Sequence, residues 1–129
     1  MVGKLGSNSV INGGAIIPLS EESKFGVTGI SVNSSGQFKI EGTNISRVLL
    51  FASWTGAPEA SGFRRVHIRK NSSMTEGYAF TTTDVATGYL NGAVAGIMLN
   101  VSDGDTIDLY NRDTKMTFWT GTRMTAICF

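Results

Sequence analysis

Hydrophobic and polar positions along the chain follow two patterns, and each pattern predicts a different kind of β-strand. In the segments 37–41, 63–70 and 105–110 apolar and polar residues alternate, so that one face of each strand is apolar and the other polar. The segments 48–54, 93–99 and 124–129 are apolar on both faces. The first set predicts a sheet with one face in water, and the second predicts a sheet that is covered on both sides.

The rest of the chain also favours β-structure. Sixteen glycines stand against two prolines, turn residues recur at short intervals, and no long segment has the 3.6-residue period of a helix. Val27–Val32 and Gln37–Glu41 flank Asn33–Gly36, which has the composition of a tight turn, and they predict a hairpin. These features predict an all-β sandwich or barrel.

The length of 129 residues predicts one domain with a substantial core. Residues 1–14 are rich in glycine, serine and asparagine, and they predict a flexible N-terminal arm. Residues 15–129 carry the strands and form the predicted folded domain. The segment 2–14 has no apolar run of signal-peptide or membrane-spanning length, so neither a signal peptide nor membrane insertion is expected.

No predicted helix is available to cover the second face of the doubly apolar strands. Another copy of the chain is therefore the expected cover, and small residues on these strands, such as Ala52 and Gly96, would let two backbones approach closely. The side chains predicted at this interface between copies are Leu49, Phe51, Val94, Met98, Ile127 and Phe129.

The order of the strands resembles a known family. The doubly apolar strands are the third, sixth and last of the main run, as are three of the four inner-sheet strands of the complement C1q and tumour-necrosis-factor jelly roll. Gly36–Ile40 is similar to that family's second-strand entry, and Gly104–Leu109 resembles the entry to its seventh strand. Arg69–Asn71 is similar to the fourth strand and its turn, and Phe118 near Gly121 is similar to the aromatic-glycine pair of the last strand.

The resemblance implies a two-sheet antiparallel jelly-roll sandwich that forms a homotrimer, with the inner sheets packed around a threefold axis. Two departures accompany it: Gly42 is followed by 43–48 without the usual Gly-x-Tyr-x-Phe opening, and no collagen-like repeat precedes the domain. Both favour a bacterial or bacteriophage member. The expected location is a virion tail or capsid, or a bacterial cell surface, with residues 1–14 attached to the parent fibre or capsid.

Few residues suggest catalysis or metal binding. The chain has one histidine, His67, and one cysteine, Cys128, which excludes a zinc site, and no hydrolase motif is present. Asp103, Asp105 and Asp108 suggest calcium, although Asp103-Gly104-Asp105 is ordinary turn chemistry and fits no calcium-loop spacing. We expect no enzyme, no metal and no cofactor.

The net charge of +1 gives no field that would attract nucleic acid. A local basic group is predicted on the polar face of strand 63–70, where Arg65, His67 and Arg69 point outward. One interpretation is a site for sugar phosphates or teichoic-acid-like polymers. The other is a solvated face whose charges pair with Glu41 or Asp108 on neighbouring strands.

Exposed aromatic rings are where a glycan-binding protein would stack sugars. Trp54, Trp119, Tyr89 and Tyr110 are the candidate rings. Tyr110 shares the polar face with Asp108, and Tyr89 lies in a long connection, where loops carry binding residues. Tyr89 and Tyr110 are therefore the predicted ligand-binding rings, and packing is the alternative role for both.

Three functions follow from these observations. The first is a non-enzymatic structural and adhesive trimer on a phage or bacterial assembly, which decorates that assembly or binds a host receptor. The second is a carbohydrate-binding lectin with sites between subunits. The third, a monomeric β-barrel that binds a small molecule, requires a closed sheet and an internal cavity.

Overall fold

The computed structural model of the chain describes residues 1–59, 64–82 and 89–129, and for residues 74–82, 90, 94 and 95 it describes the backbone only. The described residues form thirteen strands: β1 (Val2–Leu5), β2 (Ser9–Ile11), β3 (Ala15–Ile17), β4 (Leu19–Ser23), β5 (Ile30–Val32), β6 (Phe38–Ile40), β7 (Arg47–Pro58), β8 (Arg64–Lys70), β9 (Ser73–Thr82), β10 (Leu90–Asn100), β11 (Thr106–Asn111), β12 (Met116–Phe118) and β13 (Arg123–Cys128).

The strands make two antiparallel sheets. The seven-stranded sheet has the order β2-β12-β7-β13-β1-β4, in which β12 and β13 pair with successive parts of one edge of β7 and β10 pairs with the other edge. The six-stranded sheet has the order β5-β6-β11-β8-β9, with β3 also paired to β11. The prediction that each strand type forms its own sheet is confirmed. The doubly apolar strands β7, β10 and β13 are neighbours in the first sheet, and the alternating strands β6, β8 and β11 are neighbours in the second.

The core lies between the two sheets. In β7 every second residue from Val48 to Trp54 faces inward and is almost fully buried. Opposite them pack Phe38 and Ile68 of the six-stranded sheet, both with no exposed surface. Because alternate residues of a strand point to opposite faces, the same alternation sends Leu49 and Phe51 to the outside of the sandwich.

The predicted hairpin is confirmed, since β5 and β6 pair antiparallel around the turn 33–36. Pro18 separates β3 from β4, and the chain crosses there from the six-stranded to the seven-stranded sheet. Gly36 fits against this crossing with φ of +77°, its carbonyl accepts a hydrogen bond from the Leu19 amide, and a Cβ on it would lie 2.4 Å from Pro18 Cα. Only glycine accommodates that backbone and that contact without strain.

The prediction of a flexible arm over residues 1–14 is wrong. In the structure β1 lies between β13 and β4, β2 pairs with β12, and Met1 is 3% exposed. The glycine content that suggested mobility serves packing, because a Cβ on Gly3 would lie 2.5 Å from the ring of Phe38. Burial of Leu5 and Ile11 holds the segment in the fold.

Candidate functional site

The outer surface of the seven-stranded sheet carries a group of large apolar side chains, which we name the apolar face. Leu49 is the centre of a row in which Met98 of β10 lies opposite it on one side and Ile127 of β13 on the other. Phe51 lies two residues further along β7, and Phe129 exchanges backbone hydrogen bonds with Arg47. Phe51 is 37% exposed, Met98 48%, Ile127 46% and Phe129 52%, whereas Leu49 is half-buried.

Five neighbouring apolar side chains on a regular sheet form a surface suited to association. Val94, the remaining residue predicted at this interface, lies opposite Ala52 in the β10–β7 register, and its side chain is outside the part that the structure describes.

Charged side chains border the apolar face. At one end lies Arg47, the first residue of β7, two residues before Leu49. At the other end Arg123 and Lys4 share Glu22 as an ion-pair partner, at 3.9 and 3.6 Å, and all three side chains are partly exposed. Such a partly solvated pair contributes little to stability. An apolar centre with a charged border is the usual composition of a protein–protein interface.

The predicted basic group on β8 is not an open patch. Arg69 is 8% exposed, and its Nε and Nη2 each donate to a carboxylate oxygen of Asp108 at 2.9 Å. Gln37 donates to the same carboxylate at 2.9 Å, and the Arg69 guanidinium lies 3.7 Å from the centroid of the Tyr110 ring. Asp108 is one of the two partners expected if the charges of this strand pair with neighbouring strands, but Arg69 and Asp108 are buried and not on a solvated face.

Tyr110 is half-buried, and Arg69 covers one face of its ring. Arg65 is likewise engaged, with Nε and Nη2 on the two oxygens of Asp113 at 2.8 and 2.6 Å. These hydrogen bonds hold the pKa of the Asp113 carboxyl below its ordinary value.

His67 lies on the predicted face of β8 but is 5% exposed, so the expectation of a solvated side chain is wrong. In the sheet Tyr110 lies opposite it on β11, and the backbone of Ala79 lies opposite it on β9. Burial lowers the pKa of His67, and neighbouring arginines add to the shift while Asp113 opposes it. Neither ring nitrogen has a hydrogen-bond partner among the described residues.

The aspartates suggested for calcium serve turns and an ion pair. Asp103 accepts a hydrogen bond from the Gly42 amide at 2.7 Å, and Asp105 accepts from the Ser102 amide at 2.9 Å and from the Asn71 side chain at 2.8 Å. Within the described ranges no three His, Cys, Asp or Glu side chains are grouped in a way that could hold a metal ion.

Two candidate rings meet on the surface. Tyr89 is 78% exposed, and its ring centroid lies 5.0 Å from that of the half-buried Trp119. Trp54 has a different role: it is 3% exposed, packs edge-on against Phe118 and lies over Gly92, where a Cβ would be 2.2 Å from its Nε1. Trp54 is therefore a core residue.

A shallow cleft of about 430 Å³ opens at one end of the sandwich, between the β1–β2 connection, β4 and the β5–β6 turn. Serine hydroxyls and Asn33 line much of it, and among the described lining residues Glu21 is the one that carries a carboxylate.

Comparison of the fold with solved structures decides its class. The chain superposes on the structure of Eiger TNF from S. frugiperda with a TM-score of 0.66 and 7% identity, which covers 100% of this chain and 92% of that one. It superposes on the globular domain of zebrafish complement 1qA with a TM-score of 0.62 and 9% identity. That superposition covers 98% of this chain and 94% of the zebrafish chain. The fold is a C1q/TNF-like jelly roll.

The C1q/TNF-like fold agrees with the resemblance that the sequence indicated, including the placement of β7, β10 and β13 in one sheet. No protein-family model matches the chain, and no curated protein matches it in sequence. Among the described residues no helix is long and apolar enough to cross a membrane.

Proposed function

We propose that the protein is a trimeric, non-enzymatic binding module in which three copies meet through the apolar face. The observation that carries this proposal is the exposure of Phe51, Met98 and Ile127 on a sheet whose other face is already packed into the core. In a monomer these side chains would stand in water. Association removes their apolar surface from water, which stabilises a complex by roughly 25 cal/mol per Å² before association costs.

The number three is supported by the fold class. The C1q/TNF-like resemblance implies inner sheets packed around a threefold axis, and the apolar face lies on the corresponding seven-stranded sheet. A closed ring of this kind satisfies the apolar face of every subunit and leaves none open for further growth.

Light scattering at micromolar concentration tests the assembly. We expect a mass of three times 13.8 kDa, and we expect Ile127→Glu to lower it, because a carboxylate would be buried against a neighbouring subunit. Phe25→Glu is the matched control, since Phe25 is 82% exposed but lies in the loop after β4 and not on β7, β10 or β13. A monomer mass for the unaltered protein would contradict the proposal.

We further propose that the module belongs to a phage or bacterial surface assembly, a fibre, tail or capsid, where it decorates the assembly or binds a host receptor. The departure at residues 42–48 from the opening of the third strand in secreted members of the C1q/TNF class supports this location. Gold-labelled antibody against the chain, applied to producing cells and released particles, tests it. Label on the particle or cell surface is the expected result, and label confined to the cell interior would contradict it.

A lectin is the second candidate function. The observation that favours it is the 78% exposure of Tyr89, an amphipathic ring of the type that stacks on sugars. The third function, a monomeric β-barrel that binds a small molecule, has less support. It requires a closed sheet, whereas the strands form a two-sheet sandwich.

A further inference from the structure

Tyr89 and Trp119, which we name the aromatic platform, are brought together by the pairing of β7. Phe118 of β12 lies opposite Gly56 on one edge of β7, and Leu90 of β10 lies opposite Gly56 on the other edge. Trp119 directly follows Phe118, and Tyr89 directly precedes Leu90. The two rings therefore reach each other across the width of β7 and make an edge-type contact with an interplanar angle of 61°.

The backbone of Trp119 is held in place before any ligand arrives. Its amide donates to the carbonyl of Thr55, and its carbonyl accepts from the amide of Thr122, both at 2.9 Å. Gly121 permits the turn to lie close to β7, because a Cβ there would be 2.9 Å from Thr55 Cγ2. Tyr89 rests against the Trp119 ring while most of its own surface stays open. A fixed backbone under the platform reduces the conformational entropy that ligand binding would cost.

Hydrogen-bonding groups lie on the strands that carry the platform. Thr117, two residues before Trp119, donates its hydroxyl hydrogen to Glu59 at 2.6 Å, and Glu59 is exposed. Asn91, two residues after Tyr89, is also exposed. Since alternate residues of a strand share a face, Thr117 and Asn91 lie on the same side of the sheet as the rings.

A row that contains two polar residues, and Ala93 on β10, lies between the aromatic platform and the apolar face. Ser53 of β7 and Arg123 of β13 lie opposite each other between Phe51 and Thr55. The platform therefore lies apart from the large apolar side chains, with the exposed ring of Tyr89 and the half-buried ring of Trp119 beside a carboxylate and an amide. A pyranose ring has the matching chemistry, because it presents C–H groups to an aromatic face and hydroxyl groups to acceptors at its edge.

We propose that the aromatic platform is a carbohydrate subsite in which Tyr89 stacks on a pyranose ring while Glu59 and Asn91 bind its hydroxyl groups. The inference rests on the proposed binding function and names its ligand class. It places the sugar on one subunit, at the edge of the trimer contact.

Saturation-transfer NMR tests this inference on the full chain with a panel of hexose- and N-acetylhexosamine-terminated oligosaccharides, because the method detects millimolar binding. We expect saturation of pyranose C–H protons by the unaltered protein. Tyr89→Ala should weaken binding about ten-fold, and Tyr89→Phe should retain most of it, because the ring provides the contact. Phe25→Ala, which removes an exposed ring elsewhere, should have no effect.

Light scattering of the same variants separates this inference from the proposed trimer. If no saccharide on the panel receives saturation while the trimer mass is intact, the carbohydrate subsite is wrong and the trimer stands. Binding that survives Tyr89→Ala also overturns the subsite. A fall in mass for Tyr89→Ala would assign the rings to the contact between copies and overturn it as well.

Discussion

Gly36 is the residue on which the crossing between the two sheets depends. Its positive φ and its carbonyl hydrogen bond to Leu19 fix the β5–β6 turn against Pro18. Gly104 has a similar φ, +85°, but nothing lies within 4 Å of the position that a Cβ would take. The two glycines therefore separate the cost of backbone strain from the cost of steric overlap.

We expect Gly104→Ala to lower the free energy of unfolding by roughly 1 kcal/mol, the cost of a left-handed non-glycine residue. Gly36→Ala should cost about 2–4 kcal/mol, because the methyl group also collides with Pro18 backbone atoms that cannot move aside. Urea unfolding of both variants measures the difference. Equal losses would show that the crossing relaxes around the methyl group.

His67 makes stability depend on pH. Its pKa is lowered in the folded protein, so between the ordinary value of about 6.5 and the folded value the unfolded chain binds a proton that the folded chain does not. Above this pH window, protonation of His67 does not affect stability. As pH falls through the window, the free energy of unfolding decreases by up to ~1.4 kcal/mol per pH unit.

Unfolding in urea at pH 7.0, 6.0 and 5.0 checks this expectation, with His67→Gln as the variant that cannot take up the proton. The loss of stability on acidification should be smaller in the variant. Asp113 loses its contribution only at lower pH, because its pKa is held below the ordinary value for a carboxyl group. The same pH dependence in both proteins would contradict the assignment to His67.

At the scale of elements, β13 completes the seven-stranded sheet. It lies between β7 and β1, and its inward residues Met124 and Ala126 are buried while Ile127 faces outward. Without β13 two long strand edges would be unpaired and the core would lose two side chains. The strand therefore has two separate roles, one face for folding and one for association.

We expect deletion of Met124–Phe129 to abolish cooperative folding, as followed by circular dichroism and thermal unfolding. Met124→Glu should have nearly the same effect, because it places a carboxylate in the core. Ile127→Glu, three residues away on the outer face, should leave a folded monomer. A soluble, cooperatively folded truncation would show that β13 is dispensable.

The grouping of strands into sheets was predictable from sequence, because alternation of apolar and polar residues reports which faces are buried. The strands β1 and β2 were not, since burial of that glycine- and serine-rich segment depends on the fit of Gly3 against Phe38, a contact between distant parts of the chain. The burial of His67 and Arg69 depends in the same way on cover from Asp108 and Tyr110. The aromatic platform was predicted only as separate rings, because no local pattern brings Tyr89 to Trp119.

At the scale of the whole molecule, the ladder between β1 and β13 joins segments far apart in the chain: Met1 accepts a hydrogen bond from the Ala126 amide across 125 positions. During synthesis β1 emerges from the ribosome long before its partner β13 has been made. One edge of β7 also stays unpaired until β13 has been made. Apolar, unpaired strand edges are then exposed to other unfolded chains, which favours aggregation at high expression levels. A chaperone that shields β7 until β13 has been made should accordingly raise the yield of native protein, measured as the soluble fraction with and without the co-expressed chaperone.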